Sequence, residues 1–250
     1  MNFRNIRLKG TTLDIALSVV AFGVTFGLFF PFSLRGIDPH HDGIMLKPAL
    51  DVLSGQTLFR DTFSQYGPLT TFIHVVFLWA LGPTLSAIKI ATVVCYALSA
   101  SALVTYWRVF LPRSLVVLSL AVWLFFAPFF DMDFTMLPWS SVPALFFQTL
   151  GAFFQVKAIS KWSPKLYPAL SGLSCACVFL CRQPVGGCLL LSLTCVFVWI
   201  SLAKEKRNFG LDAIKFTFLG FLVPLVGFFF LPLAERSPAR MVLSKCALAP

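Results

Sequence analysis

The sequence predicts an all-α polytopic membrane protein with about seven transmembrane helices and a first extracytoplasmic loop carrying two surface helices. Three observations lead there. The 250-residue chain is 58% hydrophobic and only 12% charged, with a mean hydropathy of +0.85, whereas soluble domains carry about 25% charged residues. The apolar residues fall into runs close to the ~20 residues that cross a bilayer. The basic residues gather between those runs, which is the pattern of cytoplasmic loops under the positive-inside rule.

The elements follow in order. Residues 13–32 form the first span, preceded by Arg4, Arg7 and Lys9, so the N-terminus is expected in the cytoplasm. The run is too long for a signal-peptide core and no small-residue cleavage motif follows it, so it is expected to be retained. Next comes a polar island from Gly36 to Thr71, holding four of the ten acidic residues (Asp38, Asp42, Asp51, Asp61) and two of the three histidines. Residues 69–81 are apolar but short for a span, and Pro68 and Gly82 frame them as helix start and stop signals do. They read as a helix on the outer membrane surface with Trp79 in the interface; a short tilted span is the alternative. Spans are then expected at 84–107, 114–130, 140–156, 166–180, 186–203 and 216–233. With 69–81 on the surface, the basic clusters at Arg108/Arg113, Lys157/Lys161/Lys165 and Lys204/Lys206/Arg207 all face the cytoplasm. A spanning 69–81 would turn them outward, so charge favours the surface helix. The first outer loop then covers 33–83 and the second 131–139, within a single domain spanning 1–250.

The net charge of +10 is explained by these loop clusters, and no nucleic-acid partner is expected. Of the seven cysteines, all but Cys246 lie in apolar segments and none has the His neighbours of a zinc set. Apart from the adjacent pair His40–His41, the histidines have no metal spacing, so no metal site is assigned.

Among the outer acids, Asp38 and Asp51 read as ordinary loop solvation, Asp51 marking the wet face of a short amphipathic helix. Asp42 differs. Pro48 belongs in a helix's first turn, so a helix starting between Ile44 and Lys47 would place Asp42 just before its N-terminus, as a cap or a proton acceptor. Asp131 and Asp133 open the second loop, and two carboxylates there suit a divalent cation or a sugar hydroxyl. Arg182, in the run CRQPVGG, sits at the outer end of a span against the charge rule. Its guanidinium fork suits a phosphate near the headgroups, or it snorkels to the interface. Lys89 has a similar, weaker case. Arg60 is either another phosphate ligand or the ion-pair partner of Asp61. Gln65, Tyr66 and Gly67 either line a sugar pocket or form a turn.

The run HDGIMLKPALDVLSGQTLFRDTFSQYGPLTTFIHVVFLWALGPTLSAIKI resembles the first outer loop of polytopic GT-C glycosyltransferases, nearest the bacterial branch related to protein O-mannosyltransferases and aminoarabinose transferases. The matching residues are Asp42-Gly43, Gly55, Phe59-Arg60-Asp61, Tyr66-Gly67-Pro68-Leu69, Leu81-Gly82 and Lys89, with LCRQPVG as the later basic-then-glycine element; the similarity spans roughly residues 12–200. The family's paired acids are His41-Asp42 here, and Asp38 is a rival for the same role. The resemblance implies a glycosyltransferase in the plasma (inner) membrane with a polyprenyl-phosphate-linked sugar as donor and a glycan, lipid or protein hydroxyl as acceptor. It implies Asp42 as the catalytic acid of the first loop. The family's second-loop acid corresponds to Asp131 or Asp133. In that scheme Asp42 is the general base, Asp61, Gln65, Tyr66, Asp131 and Asp133 bind substrate, and Arg182, Lys89 and Arg60 bind phosphate. The resemblance fixes no cofactor, a divalent cation being the one candidate. Family members usually have more than seven spans, so a truncated, inactive homologue acting as a scaffold is one competing expectation. A lipid-linked-sugar transporter or flippase is the other.

Overall fold

A computed structural model of the protein describes residues 12–126, 137–203 and 206–234. The described residues form α1 (Thr12–Ser33), α2 (Pro39–Leu53), α3 (Pro68–Leu81), α4 (Leu85–Trp107), α5 (Arg113–Phe126), α6 (Ser141–Lys161), α7 (Leu166–Cys181), α8 (Gln183–Ser201) and α9 (Arg207–Ala234). No strand occurs among them; Leu58 and Thr62 make one isolated bridge. Helices are the expected solution, because a chain in lipid must satisfy its backbone hydrogen bonds internally.

Among the described residues five helices are long and apolar enough to cross a membrane: α1, α4, α6, α8 and α9. The runs expected to span at 114–130 and 166–180 appear as α5 and α7, of 14 and 16 residues. α7 is shorter than the ~20 residues of a perpendicular crossing, and residues 127–130 of the first run lie outside the described residues. Inside α4, 67% of the apolar window is buried, against 17% in α1. That contrast makes α4 the central helix and α1 a peripheral one, whose Ile15, Val19, Val20, Val24 and Leu28 stay exposed. In a membrane such a face meets acyl chains. On its inner side, Phe29 packs with Val93 and Leu124.

Polar and small residues make the helix–helix contacts. Ser18 on α1 shares a 3.0 Å hydrogen bond with Thr105 on α4. Gln155 of α6 donates to the Leu193 carbonyl of α8 at 2.9 Å, and Ser171 of α7 donates to the Gly151 carbonyl of α6 at 2.9 Å. Between α7 and α9 the backbones almost touch. A Cβ on Gly172 would run into the Thr217 carbonyl, and one on Gly220 into the Ala169 carbonyl. Close approach through small residues is how helices gain packing energy where lipid offers no hydrophobic drive.

Two expectations about the polar island change. α2 begins at Pro39, not between Ile44 and Lys47, and Pro48 lies inside it. Pro39 takes the first-turn position that suits proline. Pro48 is tolerated mid-helix as a buried side chain, although its missing N–H leaves the Ile44 carbonyl without its helical donor. Consequently Asp38, not Asp42, is the N-cap, accepting from the backbone of His40 and His41 at 3.0 and 2.9 Å. α3 spans Pro68–Leu81 with Gly82 at φ 95° beyond its end, as its framing residues predict. Its polarity is inverted relative to a soluble helix. Thr70, Thr71 and His74 are buried, while Phe72, Val76 and Trp79 are exposed.

Gly172→Val should lower the melting temperature in detergent, because overpacking a filled contact costs about 1–3 kcal/mol. The same change at Gly187, where a Cβ meets nothing, should have a much smaller effect; fluorescence-monitored melting compares the two.

Candidate functional site

One end of the bundle collects the residues that the sequence singles out. The C-terminal end of α1, all of α2, the first turns of α4 and α6, and the α7–α8 corner meet there. The opposite end holds Asp14, bound by Arg108 and Arg113 at 2.9 and 3.0 Å. It also holds a belt of Lys157, Lys161 and Lys206 over Phe153, Tyr167 and Trp162. The first end, called the acidic end below, holds Asp38, Asp42, Asp51 and Asp61 together with the cations that pair with them.

Asp42 and Lys89 form the centre of the acidic end. Asp42 sits in the first turn of α2 and Lys89 in the first turns of α4, each nearly inaccessible at 3% and 1%. The Lys89 ammonium lies 3.1 Å from Asp42 Oδ2 and donates to the Gly36 carbonyl at 2.8 Å. The Asp38 backbone N–H donates to the same Oδ2 at 3.0 Å. The second oxygen, Oδ1, is buried without a partner. An uncompensated buried acceptor is costly, so its presence marks a place where a proton donor can be received. Gly36 adopts φ 67°, a conformation glycine takes without strain, and this turn aims its carbonyl at Lys89. Beside the pair a cavity of about 560 Å³ is lined by Ser33, Leu34, Gly36, Ile37, Leu85, Ser86 and Lys89. Apolar and cationic groups thus share one opening.

A second chain of contacts leads from Asp42 to Arg182. The Asp38 carboxylate accepts from His41 Nδ1 at 2.9 Å. The His41 ring packs against Trp139, centroids 5.7 Å apart. Two residues on, Ser141 accepts a hydrogen bond from the Arg182 guanidinium. Arg182 is the single residue between α7 and α8, in an extended conformation, and Pro184 in the first turn of α8 prevents one continuous helix. Gly67 closes the ring: its N–H donates to the Cys181 carbonyl at 3.1 Å, and any Cβ there would collide with Leu180.

On the other face of α2 lies an open groove of about 790 Å³. Asp51 lines it and is buried, contrary to the solvated position expected from sequence. Lys47 donates to both of its oxygens at 2.6 Å and Thr62 donates at 2.7 Å. Those contacts, Lys47 first, hold its carboxyl below the usual range. Asp61 pairs with Arg60 at 2.7 Å and accepts from the Thr57 N–H at 2.9 Å. The Arg60 hydrogen bond, then the Thr57 one, bring its pKa down to about 2. Gln65 also lines the groove, whereas Tyr66 packs on the core cluster of Met45, Ala49 and Leu78.

Of the residues nominated from sequence, the structure joins Asp42 to Lys89, sets Asp61 and Gln65 around the groove, and spends Arg60 on Asp61. Asp131 and Asp133 lie outside the described residues. Sequence reasoning passed over Asp38 as a cap, His41, Trp139 and Ser141 as a bridge, and His40, Lys47 and Asp51 as groove lining. Only the i, i+4 spacing of Lys47 and Asp51 was a usable signal. No group of three or more His, Cys, Asp or Glu side chains able to hold a metal occurs among the described residues. Comparisons with protein-family models, curated proteins and solved structures found no match to this chain.

Removing one partner of a buried pair strands the other charge and costs about 3–5 kcal/mol. Lys89→Met should therefore destabilise strongly, and Asp42→Asn combined with Lys89→Met should recover much of the loss; thermal melting of Lys89→Met, Asp42→Asn and the double variant measures the coupling. The pH response has a definite sign at Asp38. The His41 backbone hydrogen bond, then its side chain, bring the Asp38 pKa from 3.8 to about 2. A depressed carboxyl stabilises the fold above its unfolded pKa and stops doing so as pH falls through its folded one. Asp38→Asn keeps a capping side chain but should flatten the acid limb of the melting profile between 3.8 and about 2.

Proposed function

We propose that this protein is a membrane glycosyltransferase that moves a sugar from a polyprenyl-phosphate-linked donor to a hydroxyl acceptor, with the acidic end as its active site. The observation supporting it is the 3.1 Å contact between Asp42 and Lys89. Sequence reasoning assigned them opposite jobs in one displacement, general base and leaving-phosphate ligand, and the fold puts them side by side. The resemblance of the first loop to GT-C enzymes supports the same reading.

The chemistry follows from the positions. The acceptor hydroxyl loses its proton to the unpartnered Oδ1 of Asp42. Its oxygen forms a bond to the anomeric carbon from the side opposite the phosphate. The carbon–oxygen bond to phosphate breaks, and the polyprenyl phosphate leaves with the electron pair. One displacement inverts the anomeric configuration. Lys89 stabilises the departing charge, and Arg182, bridged to the same end through Ser141, is the second phosphate ligand. A phosphate at Lys89 competes with Oδ2 for the ammonium, so donor binding loosens the carboxylate as the acceptor arrives. The Lys89 cavity, with Leu34 and Ile37 beside the cation, suits a lipid phosphate.

In this reading α5 and α7 also cross the bilayer, giving seven spans. The acidic end faces away from the cytoplasm and the lysine belt toward it, in the plasma membrane of the cell.

Asp42→Asn in reconstituted vesicles should reduce transfer from a radiolabelled polyprenyl-phosphate sugar by about 10²-fold or more, within the range a positioned base contributes. Arg182→Ala should raise the donor KM. Normal turnover by Asp42→Asn would remove its role, and sugar crossing the vesicle wall without transfer would replace the enzyme with a transporter.

A further inference from the structure

We propose that the groove between α2 and the turn that follows it is a saccharide site that takes a neutral sugar through its hydroxyls and one ring face. As the acceptor site, it rests on the transferase reading above. At about 790 Å³ it lies within the ~300–1,000 Å³ of small-molecule pockets. Asp42 does not line it; Asp42 points from the neighbouring face of α2 toward Lys89.

Charge decides the ligand class. Each acid at the groove already has its cation: Asp51 holds Lys47, and Asp61 holds Arg60. An anion would meet two carboxylates, and a divalent cation would have to displace an ammonium or a guanidinium. A neutral polyol faces neither penalty. What remains for it is a set of hydrogen-bonding groups. The side-chain amides of Gln56 and Gln65 have no protein partner among the described residues. Both are exposed and line the groove. An amide offers two donors and an acceptor, which matches a hydroxyl's dual character. The Asp51 and Asp61 carboxylates keep further lone pairs for hydroxyl donors.

The apolar component is Phe63. It lines the groove and is 79% exposed, the most exposed of the large apolar side chains described. The negative face of an aromatic ring attracts polarised C–H groups, and a sugar ring presents such a face. Phe63 is also held in place. The preceding turn contains Phe59 at φ 67°, an uncommon conformation for a bulky residue. It is pinned by Phe59 N–H to the Thr62 carbonyl at 2.9 Å, by Thr62 to Asp51 at 2.7 Å, and by Thr57 to Asp61 at 2.9 Å. Strain survives where surrounding contacts over-determine it, so the turn presents Phe63 and Asp61 as a fixed rim.

Gly43 lines the groove from α2 and immediately follows Asp42 in the chain. A Cβ there meets nothing within 4 Å. The missing side chain leaves the α2 wall of the groove open to a bound sugar, one residue along the chain from the buried Asp42.

The test uses the full chain in nanodiscs and saturation-transfer NMR with maltose, cellobiose and mannobiose, with inorganic phosphate and magnesium as competitors. At least one disaccharide should receive saturation, and neither competitor should displace it. Gly43→Leu fills the α2 wall of the groove with a better helix former, and should weaken binding by about tenfold or more while melting like the wild type. Phe63→Ala and Gln65→Ala, both at exposed positions, give the same answer should the leucine variant fail to fold. Silence from all three sugars, displacement by phosphate or magnesium, or unchanged binding in these variants overturns the proposal. If sugar binds but the protein transfers none, the transferase reading falls and the site stands. If transfer proceeds with an unchanged acceptor KM in Gly43→Leu, the site falls and the transferase reading stands.

Discussion

The Asp42–Lys89 pair is the constraint around which the acidic end is organised. Two ions nearly withdrawn from water are expensive, and their attraction alone seldom repays the desolvation. Here backbone meets some of the remaining valences, while Oδ1 stays without a partner. The Gly36 carbonyl takes one ammonium proton and the Asp38 N–H supports the carboxylate. Those two contacts specify the conformation of the short link from α1 to α2. They also seat α2 against α4. A 15-residue helix of mixed polarity has little stability of its own, so the pair and the apolar cluster of Met45, Ala49, Leu78, Ala87 and Ile88 hold it in place.

The other wall of the site is set by backbone proximity. α7 is wedged between α6 and α9, with Gly172 and Gly220 admitting the carbonyls of α9 and α7 respectively. Its burial fixes where it ends, and its end is where Arg182 begins. The position of one guanidinium thus depends on glycines well down the bundle. A short helix is acceptable in this role because α7 is lined by protein; Ser171, Gly172, Ser174, Cys175, Ala176, Val178 and Cys181 are all buried.

Much of this architecture was legible in the sequence, and for identifiable reasons. Apolar runs located the helices: the run at 84–107 becomes α4 from Leu85 to Trp107. Pro68 and Gly82 gave both ends of α3. Asp42 stood out for its place beside a helix start and in the GT-C-like run, and Lys89 because a charge within an apolar run is rare. Their contact was not legible, since it joins two helices across a loop and depends on the Gly36 turn. The start of α2 was misjudged because two prolines compete for its first turn and Pro39 takes it. Asp51 was misjudged because its burial comes from Thr62, delivered by a turn whose key residue, Phe59, has a backbone conformation that its identity disfavours. The run at 166–180 becomes α7 from Leu166 to Cys181, and the end of the run at 114–130 lies outside the described residues.

The Gly67–Cys181 hydrogen bond has a mechanical meaning. It joins the start of α3 to the last residue of α7, and both are buried where they meet. The polar island is therefore anchored at two points: to α4 through Lys89, and to the α7–α8 corner through Gly67. A segment fixed at both ends cannot swing as a flap about one hinge. Any movement that admits a large substrate has to carry the island and the α7–α8 corner together, as one jaw. Asp42 on α2 and the guanidinium of Arg182 then keep their separation while the opening changes.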